Sequence, residues 1–270
     1  AVCDVTTAST TGLMGLEGRA FLHADWAAKL GLEALLGRLP RLAAGGGRVG
    51  TLRPEMADAW GVPAGLPVHV APGDAAATTI GAGAGEPGVA SLYLGTSGWL
   101  AFTSTTRGRP EAGVHTLAHP RDGAYVQIAP LLTAAGNLAW AQREFAAELP
   151  IDTLLAAAEG PAPNLVFLPY LGGERSPFRD TSIRGAFLGI TSHTTRADFL
   201  FALLEGVAFA FRHAAEVLGM QASEPHDRPW VVSGGGARSH TWMQRFADVL
   251  GRPLTRLDDA ATVGLRGAWH

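Results

Sequence analysis

One carboxylate in this chain sits where an α/β protein can use an acid or base. Gly73-Asp74-Ala75-Ala76-Ala77 follows the compact apolar stretch Pro67 to Ala71, which reads as a strand, and opens a helix of small residues. An aspartate there can cap the helix start. The carboxyl end of a strand in an open α/β sheet also borders the ligand crevice, where the same side chain can take a proton as a general base. Residue type and position leave both uses open.

Three glycine-rich segments could meet a ligand. Gly95-Thr96-Ser97-Gly98-Trp99 joins two predicted strands, Val89 to Leu94 and Trp99 to Phe102. A nucleophile elbow needs glycine two positions after the serine, and Trp99 stands there, so a hydrolase is disfavoured. The segment reads either as a plain hairpin turn or as a phosphate cradle, with the Thr96 and Ser97 hydroxyls and consecutive backbone N–H groups aimed at one point. Ser233-Gly234-Gly235-Gly236-Ala237-Arg238-Ser239 lies between a strand and a helix capped by Ser239. Missing side chains there let a flat ligand approach, and a helix start favours anions or polar ligand edges. Close packing is the alternative, and the spacing is not that of a Walker A loop. Gly83-Ala84-Gly85-Glu86-Pro87-Gly88 has the spacing of a dinucleotide fingerprint, but a helix precedes it and a strand follows, the reverse of what a pyrophosphate site needs. It reads as an interdomain turn.

The elements that must position these residues follow from periodicity and punctuation. Leu22 to Leu36 has helical spacing, and Pro54 opens a short helix to Trp60. A domain boundary is placed near Gly85, where composition turns to Gly, Ala and Pro. Beyond it, Thr133 to Phe145 and Ile151 to Glu159 read as helices, Asn164 to Leu168 as a buried strand and Gly172 to Asp180 as a polar loop. Thr195 and Asp198 have capping-box spacing at the start of a helix that can run to Gly219, apolar all round and therefore buried. Pro229 to Ser233 reads as the last strand. After it, Trp242, Phe246, Val249 and Leu250 share one helical face before Gly251 and Pro253.

Composition bounds the function class. The 270 residues are 47% hydrophobic, enough for a sizeable core, and carry 21 Lys and Arg against 24 Asp and Glu. A net charge of -3 lacks the basic footprint of a nucleic-acid binder. The single Cys3 excludes an internal disulfide framework, nine scattered histidines show no zinc-ligand spacing, and no metal ligands are assigned. Phe199 to Phe211, interrupted by Glu205, is too short for a membrane span. A cytoplasmic protein is expected. The start AVCDV has no initiator methionine and reads as a strand entered in mid-protein; GLRGAWH stops without a cap. Both ends read as cuts.

Five blocks in order carry a family resemblance: GLPVHVAPGDAAATTIGAG, SLYLGTSGW, LPYLGGERSPF, RGAFLGITSHTTRADFLFALLEG and VVSGGGARSHTWMQRFADVLGRPL. Together they resemble the FGGY carbohydrate kinases, and GERSP with the GTSGW turn is most similar to the xylulose-kinase branch. The resemblance implies an actin- and hexokinase-like α/β fold with a ribonuclease-H-like core. Residues 1–84 would be the end of the N-terminal, sugar-binding domain and 85–270 the C-terminal, ATP-binding domain. It also implies ATP and Mg2+ as cofactors and Asp74 as the catalytic base. Gly95, Thr96 and Ser97 would form the phosphate hairpin, Gly136 a wall of the nucleotide site, and Gly234, Gly235 and Ser239 the adenosine pocket. The acceptor would be a ketopentose such as xylulose, with gluconate or another polyol as the alternative. Ala75 stands where glycerol-handling relatives carry glutamine, which argues against glycerol. The partners expected are a small-molecule sugar and, as an assembly, a homodimer, with no nucleic acid and no membrane. The family's upstream phosphate and magnesium motif and most sugar contacts precede everything in this sequence, so the chain by itself is expected to be inactive. A non-catalytic nucleotide- or sugar-binding relative is the competing reading.

Overall fold

A computed structural model describes residues 1–158, 160, 162–220, 228–259 and 262–269. Strand β1 (Val2–Asp4) runs directly into helix α1 (Val5–Thr10), and helices α2 (Ala24–Leu30) and α3 (Glu33–Leu36) lead to β2 (Arg41–Ala43), which lies parallel to β1. Strands β3 (Arg48–Thr51) and β4 (Pro67–His69) pair antiparallel around helix α4 (Pro54–Trp60). Helix α5 (Asp74–Thr79) continues into a wide π-type turn over Ile80–Ala84. The helix expected over Leu22 to Leu36 is two helices. Gly31 takes a left-handed φ of 68°, and its N–H turns back to the Ala27 and Ala28 carbonyls, which ends α2. The strand expected at Pro67 to Ala71 is present as β4, but all three of its residues are exposed.

The remaining strands build one larger sheet. β5 (Ala90–Leu94), β6 (Gly98–Ser104), β7 (His115–Ala118), β8 (Tyr125–Leu131), β11 (Trp230–Ser233) and β12 (Leu254–Arg256) are ordered β12-β11-β5-β6-β8-β7. β5, β11 and β12 are mutually parallel, and β6, β8 and β7 continue antiparallel. Between β8 and β11 come helices α6 (Ala135–Phe145) and α7 (Ile151–Ala157), the antiparallel pair β9 (Val166–Leu168) and β10 (Ala186–Leu188), and helix α8 (Arg196–Val217). Helices α9 (His240–Leu250) and α10 (Val263–Trp269) flank β12. Glu159 of the expected helix at 151–159 lies outside the described residues. β11 is not the last strand, because β12 pairs with it from Trp230↔Leu254 onward. β12 has three residues and only one apolar side chain, so it carries no periodicity to detect. This mixed α/β architecture agrees with the expected class.

Helix α8 is the keystone of the core. Its capping box is formed as expected: the Thr195 N–H donates to Asp198 Oδ2 at 2.8 Å and the Asp198 N–H to Thr195 Oγ1 at 3.3 Å. Leu203, Leu204, Val207 and Phe211 are at most 1% exposed, each burial contributing about 1.5–3 kcal/mol. Phe211 meets Phe246 of α9 edge to face at 5.2 Å, and Trp242 Nε1 donates to the Leu204 carbonyl at 3.0 Å. The four α9 residues expected on one face are all buried. Helix α5 is locked from another side: added Cβ atoms at Gly81 or Gly267 would collide with the Val263 or Ala77 carbonyl, so α10 and α5 touch backbone to backbone.

Candidate active site

The parallel pairing of β5 and β11, with Ser233 opposite Tyr93, ends both strands side by side. Beyond them the 95–97 turn and the 234–239 loop become neighbours. Gly234 has φ 97° and ψ 174°, and a Cβ on it would lie 2.6 Å from the Leu94 carbonyl oxygen. Only glycine fits there. Gly236 is wedged between the Leu94 Cβ and the Trp242 ring, each 3.0 Å from an added Cβ, whereas Gly235 is exposed and nothing lies within 4 Å of its Cβ direction. Ser239 N-caps α9, its Oγ accepting the Trp242 N–H at 3.1 Å, which leaves the hydroxyl proton free to donate.

The hairpin turn is braced from its other side by the start of α6. Ala134 and Gly136 donate to the Thr96 carbonyl at 2.9 and 3.1 Å, and Ala135 to that of Gly95 at 2.8 Å. A Cβ at Gly136 would come within 2.8 Å of the Thr96 oxygen, so Gly136 packs on the turn itself. The Gly95 N–H is used internally, donating to the Ser97 carbonyl at 3.0 Å. The N–H groups and hydroxyls of Thr96 and Ser97, both exposed, have no partner among the described residues. The turn's acceptors therefore point into the protein while two adjacent donors face out, an arrangement suited to an anionic oxygen. Gly234 and Gly236 pack on Leu94, directly before the turn, and Gly136 packs on Thr96 within it, so the 234–239 loop and the start of α6 both brace the 95–97 turn.

Asp74 is held separately. It is the first residue of α5, exposed, behind the N-cap Gly73. Its carboxylate accepts one hydrogen bond, from the adjacent Ala75 N–H at 2.8 Å, and none from the 95–97 turn or the 234–239 loop. Asp74 thus lies one position past the cap, with most of its acceptor capacity turned outward.

Two buried carboxylates escaped the sequence reading. Asp4, 7% exposed, accepts the Thr7 and Gly73 N–H groups on the same oxygen, each at 2.9 Å. Glu174, in the loop at 172–180, accepts the Leu132 and Arg175 N–H groups at 2.7 Å each and so fixes the chain where β8 leads toward Gly136. Burial pushes the Glu174 carboxyl up, while these backbone donors and Arg175 pull it down. The available signals were an aspartate at a strand-to-helix junction and an acid directly after the Gly172-Gly173 pair. Among the described residues no three His, Cys, Asp or Glu side chains converge to hold a metal ion, and no helix is long and apolar enough to cross a membrane.

Residues 90–268 match the model of the FGGY family of carbohydrate kinases, C-terminal domain, and residues 1–81 match that of the N-terminal domain. A xylulose kinase of Klebsiella pneumoniae is 35% identical over 239 residues, 85% of this chain and 48% of the relative. Among solved structures, ligand-bound xylulose kinase from Lactobacillus acidophilus superposes with a TM-score of 0.87 at 25% identity, covering 99% of this chain and 54% of that one. Gluconate kinase from the same organism gives 0.86 at 25% identity, covering 99% and 54%. The chain spans about half the length of the curated relatives it matches.

Proposed function

Since the chain belongs to the FGGY family of carbohydrate kinases, we propose that the protein moves the γ-phosphoryl group of ATP to a sugar hydroxyl with Asp74 as general base. The observation that carries this reading is the pair of N–H groups on Thr96 and Ser97, without a partner among the described residues, on a turn whose preceding residue, Leu94, packs against Gly234 and Gly236. Those donors would hold phosphate oxygens and neutralise charge that develops during transfer. Gly234, Gly235 and Ser239 would take the adenosine, with Gly136 as a wall, and the outward carboxylate of Asp74 would orient the acceptor hydroxyl and accept its proton. Mg2+ accompanies ATP in such transfers; among the described residues no three His, Cys, Asp or Glu side chains converge to hold it. Asp74 and these loops share no hydrogen bond, so they would come into register when the two domains, divided near Gly85, close and exclude water.

For the acceptor we favour a ketopentose such as xylulose. The equal structural likeness to a xylulose and a gluconate kinase keeps gluconate as the second substrate to test. We read the protein as cytoplasmic and the assembly to test as a homodimer. The deciding experiment is a coupled ADP-release assay on the full-length enzyme with ketopentoses, aldoses, polyols and gluconate, beside Asp74→Asn. The amide keeps shape and hydrogen bonding but loses basicity, so turnover should fall roughly a hundred- to ten-thousandfold with ATP affinity unchanged. Turnover within a factor of two of wild type would make Asp74 a mere helix-start residue. ATP binding with no turnover on any acceptor would favour the binding-only relative.

A further inference from the structure

The turn that carries Asp74 draws a side-chain brace from a distant part of the chain. Its N-cap is Gly73, which has no side chain to cap α5. Among the described residues the only side chain that bonds the Gly73 backbone comes from the other end of this segment: Asp4 Oδ1 accepts the Gly73 N–H at 2.9 Å, and the same oxygen caps α1 through the Thr7 N–H, also at 2.9 Å. Gly73 is pressed against that helix start as well, since an added Cβ would lie 2.5 Å from Thr7 Oγ1 and 3.3 Å from Thr7 N. Asp4 is buried, so water cannot readily substitute for it. The α1 helix is in turn tied to the nucleotide-side sheet: Thr6 Oγ1 donates to the Ala118 carbonyl at 2.7 Å, and the Ala118 N–H donates to Ser9 Oγ at 3.1 Å.

Resting on the reading of Asp74 as the base, we infer that Asp4 is a positioning residue for phosphoryl transfer. Its single oxygen fixes the Gly73–Asp74 turn to the first turn of α1, and through α1 to the edge strand β7. Asp4 touches neither donor nor acceptor; it sets where the Asp74 carboxylate stands. Misplacement of a catalytic group by about 1 Å costs on the order of a hundredfold in rate.

Two substitutions separate this role from fold support. Asp4→Asn keeps an acceptor oxygen at the same reach. Asp4→Ser keeps a good cap for α1, but its shorter side chain cannot hold Thr7 and Gly73 together. In the full-length enzyme, with active sites counted by ATP binding, Asp4→Ser should lose roughly ten- to a hundredfold in kcat per site while KM for ATP stays within twofold. Asp4→Asn should remain within about fivefold of wild type by the same argument. Wild-type kcat per site in Asp4→Ser overturns the inference, as does an Asn variant as impaired as the Ser variant. Asp74→Asn is run alongside: if it turns over normally, the base assignment has failed, whereas a dead Asp74→Asn beside a fully active Asp4→Ser condemns the positioning role alone.

Discussion

Replacing Gly234 by alanine tests the proposed nucleotide site where an added methyl meets immovable backbone. With φ 97° and ψ 174° the residue occupies a backbone region that is essentially glycine-only, so an alanine there costs about 1–3 kcal/mol of strain. The new methyl would stand 2.6 Å from the Leu94 oxygen, 2.7 Å from its carbonyl carbon and 3.0 Å from its nitrogen. These are backbone atoms in a central strand and cannot rotate away, so overpacking adds about 1–3 kcal/mol. Together about 2–6 kcal/mol is at stake, and at about 2–4 °C per kcal/mol for a unit of this size the melting temperature should fall by at least about 4 °C. Leu94 directly precedes the 95–97 turn, so relief of the clash displaces the Thr96 and Ser97 donors, and ATP affinity by calorimetry should drop more than about tenfold, the equivalent of about 1.4 kcal/mol. Gly235→Ala is the matched control. Nothing lies within 4 Å of its Cβ direction, so stability should stay within about 0.5 kcal/mol, and any loss of ATP affinity reports the ligand itself. A Gly234→Ala protein that melts like wild type would refute the packing of the loop on Leu94. Wild-type ATP affinity in Gly235→Ala would remove the nucleotide from that loop.

Two further outcomes follow from individual contacts. Ser239→Ala removes the 3.1 Å cap bond to Trp242 and should cost about 1 kcal/mol of stability, measurable by urea unfolding; an unchanged midpoint would mean that the cap is dispensable. Burial pushes the His119 imidazole down to about 4, with Arg121 and Arg19 adding to the effect and Glu86 opposing it. It therefore stays neutral in the fold while the unfolded chain binds a proton below about pH 6.5. Its stabilising contribution is full above that pH and is lost as pH falls toward 4, by up to about 3 kcal/mol. Stability–pH curves of wild type and His119→Gln should diverge in that window, and parallel curves would exclude the effect.

The parts of the site visible in the sequence are those built from consecutive residues. Asp74 was legible because a strand, a glycine and a small-residue helix follow one another without interruption. The 95–98 turn and the 234–239 loop were legible because glycines and an N-cap serine announce element ends locally. Neighbourhood between those loops was not, since it depends on β11 choosing β5 as its partner across more than a hundred intervening residues, a choice that no local pattern encodes. The same limit hid β12, whose three residues are defined only by the strand beside them, and it hid the break at Gly31, where a glycine inside a helical pattern could equally have been tolerated. Asp4 shows the limit most sharply. Its bond to Gly73 spans 69 positions, and that of Glu174 to Leu132 spans 42. In the chain each is one acid among many; in the fold each is a buried acceptor that immobilises a backbone turn of the proposed site. Residues proposed to contact the ligands advertise themselves through local geometry, because a ligand needs exposed donors at element ends. Residues that hold those ends still do so by long-range hydrogen bonds to backbone N–H groups, which every residue but proline possesses, so their partners leave no mark in the sequence.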